Sequence, residues 1–463
     1  MLIAQWYITM RQGTAGVGHC RSPVLSVGLA SVVGALSLPF LLGCNELTGG
    51  SQSLPAGTLN PAFYNTPAGA LGMRNAAILA LENVLPTYLI DTGLLTDELD
   101  MVVPSTGLID MRTLPEASLQ TITIGGYPSD IDYSGLQGVR GEVSQAVGAL
   151  ATYDTTAPPA LRGELYALDG YAEILLADFF CSGVPLSTLN YQKDYTYAAS
   201  STTEQVYLDA LAQENTALAM TSDSARLQNL ARVLKGRALL ALGGTVNVAA
   251  AAQAVAAVPD GFQYQLAVQF TISNGSVVDL FDQNQVTESD REGLNGLPYL
   301  SSGDPRSAAT QPFTGWTPVK YALAGFTPLT VADWIEARLI QAEAALQAHD
   351  YPTYLTLLNH LRQTATVPGQ TTPLDTLTDP GDSPGDSARV SLLFSERAYW
   401  LFLTGHRQGD LRRLIRQYGR QEFQVYPTGQ YPAGGSYGTD VTAPIPAAEY
   451  YNPHFHGCLD RDA

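Results

Sequence analysis

The sequence predicts an all-α protein, a superhelix of packed helical pairs with long irregular loops and minor β structure. Three observations carry that expectation. Apolar residues recur at three-to-four spacing through most of the chain, the signature of amphipathic helices. Gly and Pro, 43 and 28 of 463 residues, punctuate the intervals between these segments and mark turns. Only one stretch, Gln263 to Ile272, alternates polar with apolar residues as a half-buried strand would. With 45% hydrophobic residues the chain can build a large core, and charged residues are only 14%.

The first 43 residues read as an export signal. Arg11 and Arg21 give a weakly basic start, Val24 to Leu42 is apolar, and Leu41-Leu42-Gly43-Cys44 follows. Small or apolar residues before a cysteine resemble a lipoprotein lipobox, which implies cleavage and acylation at Cys44. Met10 is an alternative start, because residues 1–9 lack a basic character. The competing reading is a transmembrane helix over the same run, long enough on paper but interrupted by Gly28, Gly34 and Pro39. Asn45 in place of Asp favours sorting to the outer membrane, and several acyl chains on one cysteine suffice for stable anchoring. Residues 44–58 form a Gly/Ser/Thr-rich tether, and residues 59–463 form the folded part.

Helices are expected over Ala68–Tyr88, Tyr133–Tyr153, Ala160–Phe180, Glu204–Met220, Ala225–Leu242 and Val246–Val258. The second carries Leu136, Val139, Val143, Val147 and Leu150 on one face, Pro158-Pro159 launches the third, and Gly243-Gly244 stops the fifth. Such pairs resemble tetratricopeptide units, which bury their apolar faces only against neighbours, although no strict 34-residue consensus repeats. Residues 261–328 are strand and loop. Helices resume at Thr330–Ala348, Tyr351–Thr366 and Ser391–Gly405, dividing the folded part into an N-terminal portion, 59–260, and a C-terminal portion, 261–463.

A net charge of −19 repels phosphate backbones, which excludes nucleic acid as a partner. After loss of Cys20 and use of Cys44, Cys181 and Cys458 remain. Two thiols in an oxidising envelope invite one disulfide; two unpaired cysteines are the alternative. No Gly-x-Ser-x-Gly elbow, Walker loop or dinucleotide fingerprint is present. Asp97 and Glu98 are acids without further signature, and adjacent acids in a loop point different ways, against a glycosidase pair. His454, His456 and Cys458 alternate but lack a fourth zinc ligand, and the acids of 379–386 lack EF-hand spacing. No metal and no cofactor are expected. Glu396, Arg397, Arg407, Asp410 and Arg413 fit structural ion pairs locking two helices, and Asp304 with Arg306 fits a loop fastener. The ligand-binding candidates are loop aromatics, which stack on apolar faces of a ligand: Trp316 first, then Tyr64, Tyr127, Tyr299 and Tyr321.

Several segments, in order, resemble the SusD/RagB family. They are Gly93-Leu-Leu-Thr-Asp-Glu98; Tyr166 to Leu186 with its Gly-x-Pro-Leu exit; Glu292-Gly-Leu-Asn-Gly-Leu-Pro298 with Asp304-Pro-Arg306; and Trp334 to Ala344 with Leu358-Asn359-x-x-Arg362. Phe394-Ser-Glu-Arg397, Gly405-His-Arg407, Asp410-Leu-Arg-Arg413 and Pro444-Ile-Pro446 complete the series. Cys181-Ser182 departs from the family's usual Gly-Asp. The resemblance implies a nutrient-binding lipoprotein rather than an enzyme. Such a protein sits on the cell surface as a lid over a TonB-dependent (SusC-like) transporter, handing an oligosaccharide or peptide inward, and Asp97 lies in a loop the family uses for its site. The rival readings are a lipoprotein scaffold for envelope assembly and a surface hydrolase.

Overall fold

The computed structural model describes residues 65–102, 112, 128–191, 194–269, 286–311, 314–321, 326–381, 384–431 and 435–462. Cys44, Tyr64 and Tyr127 lie outside the described residues, as do the export signal and tether.

Among the described residues are ten α-helices: α1 Pro67–Leu95, α2 Pro128–Tyr153, α3 Pro159–Phe179, α4 Thr203–Met220, α5 Ala225–Leu242, α6 Gly244–Val255, α7 Trp334–Gln347, α8 Tyr351–Thr364, α9 Ser387–Trp400 and α10 Arg407–Arg416. From α1 to α8 each helix packs on its successor, the serial stacking that tetratricopeptide-like pairs require. The termini follow from local chemistry. Thr66, Ser224, Asp333 and Asp350 each accept a backbone N–H from the first turn of α1, α5, α7 and α8, and Thr202 with Gln205 forms a reciprocal capping box on α4. Each satisfies an otherwise orphaned donor, worth about 1 kcal/mol. Gly243, at φ +70°, ends α5 in a conformation that other residues resist.

Close packing rests on small residues. A Cβ placed on Gly135 of α2 would lie 2.5 Å from Cγ2 of Val84 on α1, so these helices meet where no side chain fits. α1 is apolar and long enough to cross a membrane, but 67% of its most apolar window is buried inside the protein, which marks it as a core helix. Helix α3 is buried almost throughout. At its C-terminal end Phe179 and Phe180 meet Tyr88 and Tyr133 edge-on at 5.6 and 5.1 Å, each pair adding about 0.5–1.5 kcal/mol beyond area burial.

The β structure is small. Gln263–Gln269 pairs antiparallel with Phe326–Asp333, with a bulge between Thr330 and Ala332. Leu99–Met101 pairs antiparallel with Val286–Glu288 in the register Leu99↔Glu288, Asp100↔Thr287, Met101↔Val286. Cys181 and Cys458 form a disulfide across 277 residues. Beside it Ser182 N–H donates to Asp460 O and Leu459 N–H to Ser182 O. Gly183, at φ +129°, has Gly457 O 2.9 Å from where a Cβ would stand, so the C-terminal tail crosses bare backbone there.

Helix α1 runs seven residues past the expected Tyr88, to Leu95, and α2 begins five residues before the expected Tyr133, at Pro128; three further segments also differ from the sequence expectation. Thr330–Asp333 is strand rather than helix: Asp333, the extended N-cap of α7, still pairs with Gln263, so the helix starts only at Trp334. The helix expected over Ser391–Gly405 begins at Ser387 and ends at Trp400, followed by a turn in which Leu403 has φ +48° and Gly405 φ +79°. Arg407–Arg416 is a helix in its own right; its heavily charged sequence conceals it from a hydrophobic pattern.

Candidate functional site

Of the candidate aromatics among the described residues, Trp316 is the accessible one, at 39% exposure. Its backbone is fixed on both sides. Trp316 N–H donates to Thr287 Oγ1 at 2.8 Å, and its carbonyl accepts Glu288 N–H at 2.9 Å. Gly315 makes this approach feasible: a Cβ there would stand 3.2 Å from both Val102 Cγ2 and Val286 O. Thr317–Pro318 then pairs with Ala309–Thr310. The indole is therefore an exposed face on a rigid ladder, the arrangement in which an aromatic ring binds an apolar surface at low ordering cost.

Behind this ladder lies a buried charged layer. Ser289 N–H donates to Glu98 O, and Glu98 Oε1 accepts Leu403 N–H at 2.7 Å. Burial raises the Glu98 carboxyl to about 7, against the opposing pull of the Leu403 bond and Arg407. Glu288, 1% exposed, has no hydrogen-bond partner on either carboxylate oxygen among the described residues. Burial pushes its carboxyl up to about 9 despite the nearby charge of Lys320. Burial in turn lowers Lys320, which Glu98, Glu288 and Asp333 pull back upward.

Three of the ligand-binding candidates are buried in the structure. Asp97 is fully buried: Arg407 grips it through two bonds of 2.7 and 2.8 Å, and its Oδ2 accepts Leu297 N–H. It ties α10 to the 291–297 loop. Tyr299 is buried against Tyr399 and Phe402. Tyr321 is buried with its hydroxyl donating to Leu403 O. Tyr299 packs against α9 and the turn after it, and Tyr321 lies beside that same turn. Asp97 and Glu98 do point apart, one to Arg407 and the other to the Leu403 amide. Glu288 and Lys320 escape sequence reasoning because isolated charges in loops carry no periodic signal.

The other charged residues are buried partners of one another. Arg397 binds Asp410 in bidentate fashion at 2.7 and 2.9 Å, and Arg413 joins Asp410 at 2.8 Å and Glu343 at 3.1 Å. Burial opposes ionisation of Asp410, but the two guanidiniums hold its carboxyl well below the usual carboxylate range. Arg306 bridges Asp304 and Glu396 through bonds of 2.6 to 3.1 Å, and Arg362 adds a bond to Glu396 at 2.7 Å. In the 379–386 segment both Asp379 and Asp386 turn to the Arg389 guanidinium, which lies 3.6 Å over the Tyr351 ring. Arginine thus engages Asp379 and Asp386, two of the acids of this turn-rich segment. Cys458 is committed to its disulfide, which takes its sulfur from the His454–His456–Cys458 set.

No family model matches the chain, and no curated protein matches it. Solved structures do. A SusD superfamily protein from Bacteroides fragilis superposes with a TM-score of 0.61 at 16% identity, over 84% of this chain and 99% of that one. A protein described as a putative sugar binding protein from Bacteroides vulgatus gives 0.59 at 16% identity, over 86% and 99%. A SusD-like carbohydrate binding protein from the same species gives 0.58 at 13%, over 84% and 97%. The shared property is the fold across nearly the whole length of those proteins.

Proposed function

We propose that this chain, whose fold is that of SusD-superfamily structures, is a cell-surface nutrient-binding protein that captures a glycan and breaks no bond in it. The reading further takes the protein to be anchored in the outer membrane through lipidated Cys44. From there it would deliver its ligand, glycan or peptide, to a TonB-dependent transporter. The observation that carries the proposal is Trp316, a half-exposed indole braced on the 99–101/286–288 ladder, on a fold shared with structures described as sugar and carbohydrate binding. A sugar ring offers C–H faces to such a plane and hydroxyls to nearby polar groups. Against hydrolysis, Asp97 and Glu98 are buried and already engaged.

The test is a printed array of neutral and acidic oligosaccharides, followed by calorimetry on the strongest hit with wild type and Trp316→Ala. Loss of one stacking residue is expected to weaken binding about 10-fold or more while leaving thermal stability nearly unchanged, because hot-spot aromatics typically contribute roughly 2 kcal/mol. Equal affinity would remove Trp316 from the site, and turnover of the oligosaccharide would overturn the binder reading. A mild-detergent pull-down of the lipidated protein tests the transporter partnership; recovery of assembly factors without a transporter would favour a scaffold.

A further inference from the structure

Asp97, Glu336, Glu343, Glu396 and Asp410 all face arginine within 2.5 to 3.1 Å, whereas Asp132, Glu214 and Glu288 have both carboxylate oxygens buried without a hydrogen-bond partner among the described residues. Of these three, Glu288 is the one whose backbone is bonded to the Trp316 segment. A carboxylate so desolvated cannot remain charged at ordinary cost; the group binds a proton instead. Its position gives that proton a consequence. Glu288 sits opposite Leu99 in the ladder, and its own N–H is donated to the Trp316 carbonyl, while the preceding Thr287 hydroxyl oxygen accepts Trp316 N–H. Lys320 lies four residues beyond Trp316 on the same segment and interacts with both Glu98 and Glu288.

We infer that Glu288 is a positioning residue for Trp316: neutral, it leaves strand 286–288 docked with the indole in place, and ionised, it draws that strand out of register. This rests on the reading of Trp316 as the ligand platform and supplies that platform with proton control. The surrounding charges set the direction. Asp290 on the same segment and Glu98 on the paired strand oppose ionisation of Glu288, and Lys320 favours it. Behind them, Asp97 and Arg407 act on Glu98, and Asp333 acts on Lys320. Burial places the transition of Glu288 near pH 9, so the docked form dominates at neutral pH.

The experiment needs no ligand. Tryptophan emission of the ligand-free protein is recorded from pH 6 to 10 for wild type and Trp316→Phe, and the difference isolates Trp316. The expected result is a red shift of that difference spectrum on the alkaline side of neutrality. In Glu288→Gln, a permanent mimic of the neutral acid, the shift should vanish. Lys320, lowered by burial to about 8, titrates in the same range, and Lys320→Met separates the two groups: a transition that persists belongs to Glu288, and one that disappears belongs to Lys320. A flat wild-type difference spectrum, an unaltered transition in Glu288→Gln, or loss of the transition in Lys320→Met overturns the proposal. Should Glu288→Gln fail to fold, Lys320→Met decides the question alone. If Trp316→Ala leaves glycan affinity intact while this titration is present, the ligand reading fails and the proton linkage stands.

Discussion

Removing the Cys181–Cys458 bridge, by Cys181→Ser with Cys458→Ser, should lower the melting temperature substantially. The bridge spans 277 residues, and the chain-entropy relation, with 1.5R ln 277 plus its constant, gives about 19 cal/mol/K, or about 5.6 kcal/mol at 25 °C. The folded unit from Tyr64 to Ala463 comprises roughly 400 residues, and at about 2.1 cal/mol/K per residue its unfolding entropy is near 0.84 kcal/mol/K. The two figures predict a fall of about 7 °C. Circular dichroism melts of the double serine variant, and of wild type with and without reductant, provide the assay. A drop below about 2 °C would refute the argument that the bridge constrains the unfolded chain as a whole. Loss of the tail to protease at unchanged melting temperature would reduce the bridge to a local clasp on the backbone pairs of Ser182 with Leu459 and Asp460.

Asp410→Asn replaces a carboxylate that accepts two bonds from Arg397 and one from Arg413. It leaves buried guanidiniums undercompensated, so denaturant titration should register a loss of about 3–5 kcal/mol. Gly135→Val should cost about 1–3 kcal/mol or more through overpacking, since even a Cβ there stands 2.5 Å from Val84; a neutral result in the same titration would mean that α1 and α2 can separate freely. Glu336 should contribute to acid lability. Burial pushes its carboxyl up, but the charges of Arg237 and His406 bring it down to about 2. Its folded value lies below the unfolded one, so its stabilisation is present above about pH 4.3 and is lost as pH falls toward 2. Melts of wild type and Glu336→Gln from pH 6 to 2 should therefore converge at the acid end.

The helices were legible because their evidence is local. Leu136, Val139 and Val143 recur at helical spacing and are buried as a face, and Pro158-Pro159 and Gly243 stop the chain where the pattern lapses. Helix α10 was not, since its residues Arg407, Asp410, Arg412 and Arg413 look solvated in sequence and are buried in fact. Ion pairing between distant segments made that possible. Loop residues show the same limit. Trp316, Tyr299 and Tyr321 are equivalent as aromatics flanked by turn formers; only tertiary packing sends two of them inward and leaves one at the surface. Glu288 is a single acid in a short strand, and its isolation is defined entirely by neighbours from other segments.

The buried guanidiniums also determine what the protein presents to its surroundings. The sequence has 24 basic side chains, of which three are lysines, Lys193, Lys235 and Lys320. Nine of the arginines, Arg112, Arg140, Arg237, Arg306, Arg389, Arg397, Arg407, Arg412 and Arg413, are buried. Cations that composition would assign to the exterior are thus committed to internal carboxylates and carbonyls, and among the described side chains left exposed or half-buried the acids still outnumber the bases. An approaching polyanion meets a net repulsive field, so its capture should accelerate as added salt shortens the screening length, while a neutral oligomer should arrive at a rate indifferent to ionic strength.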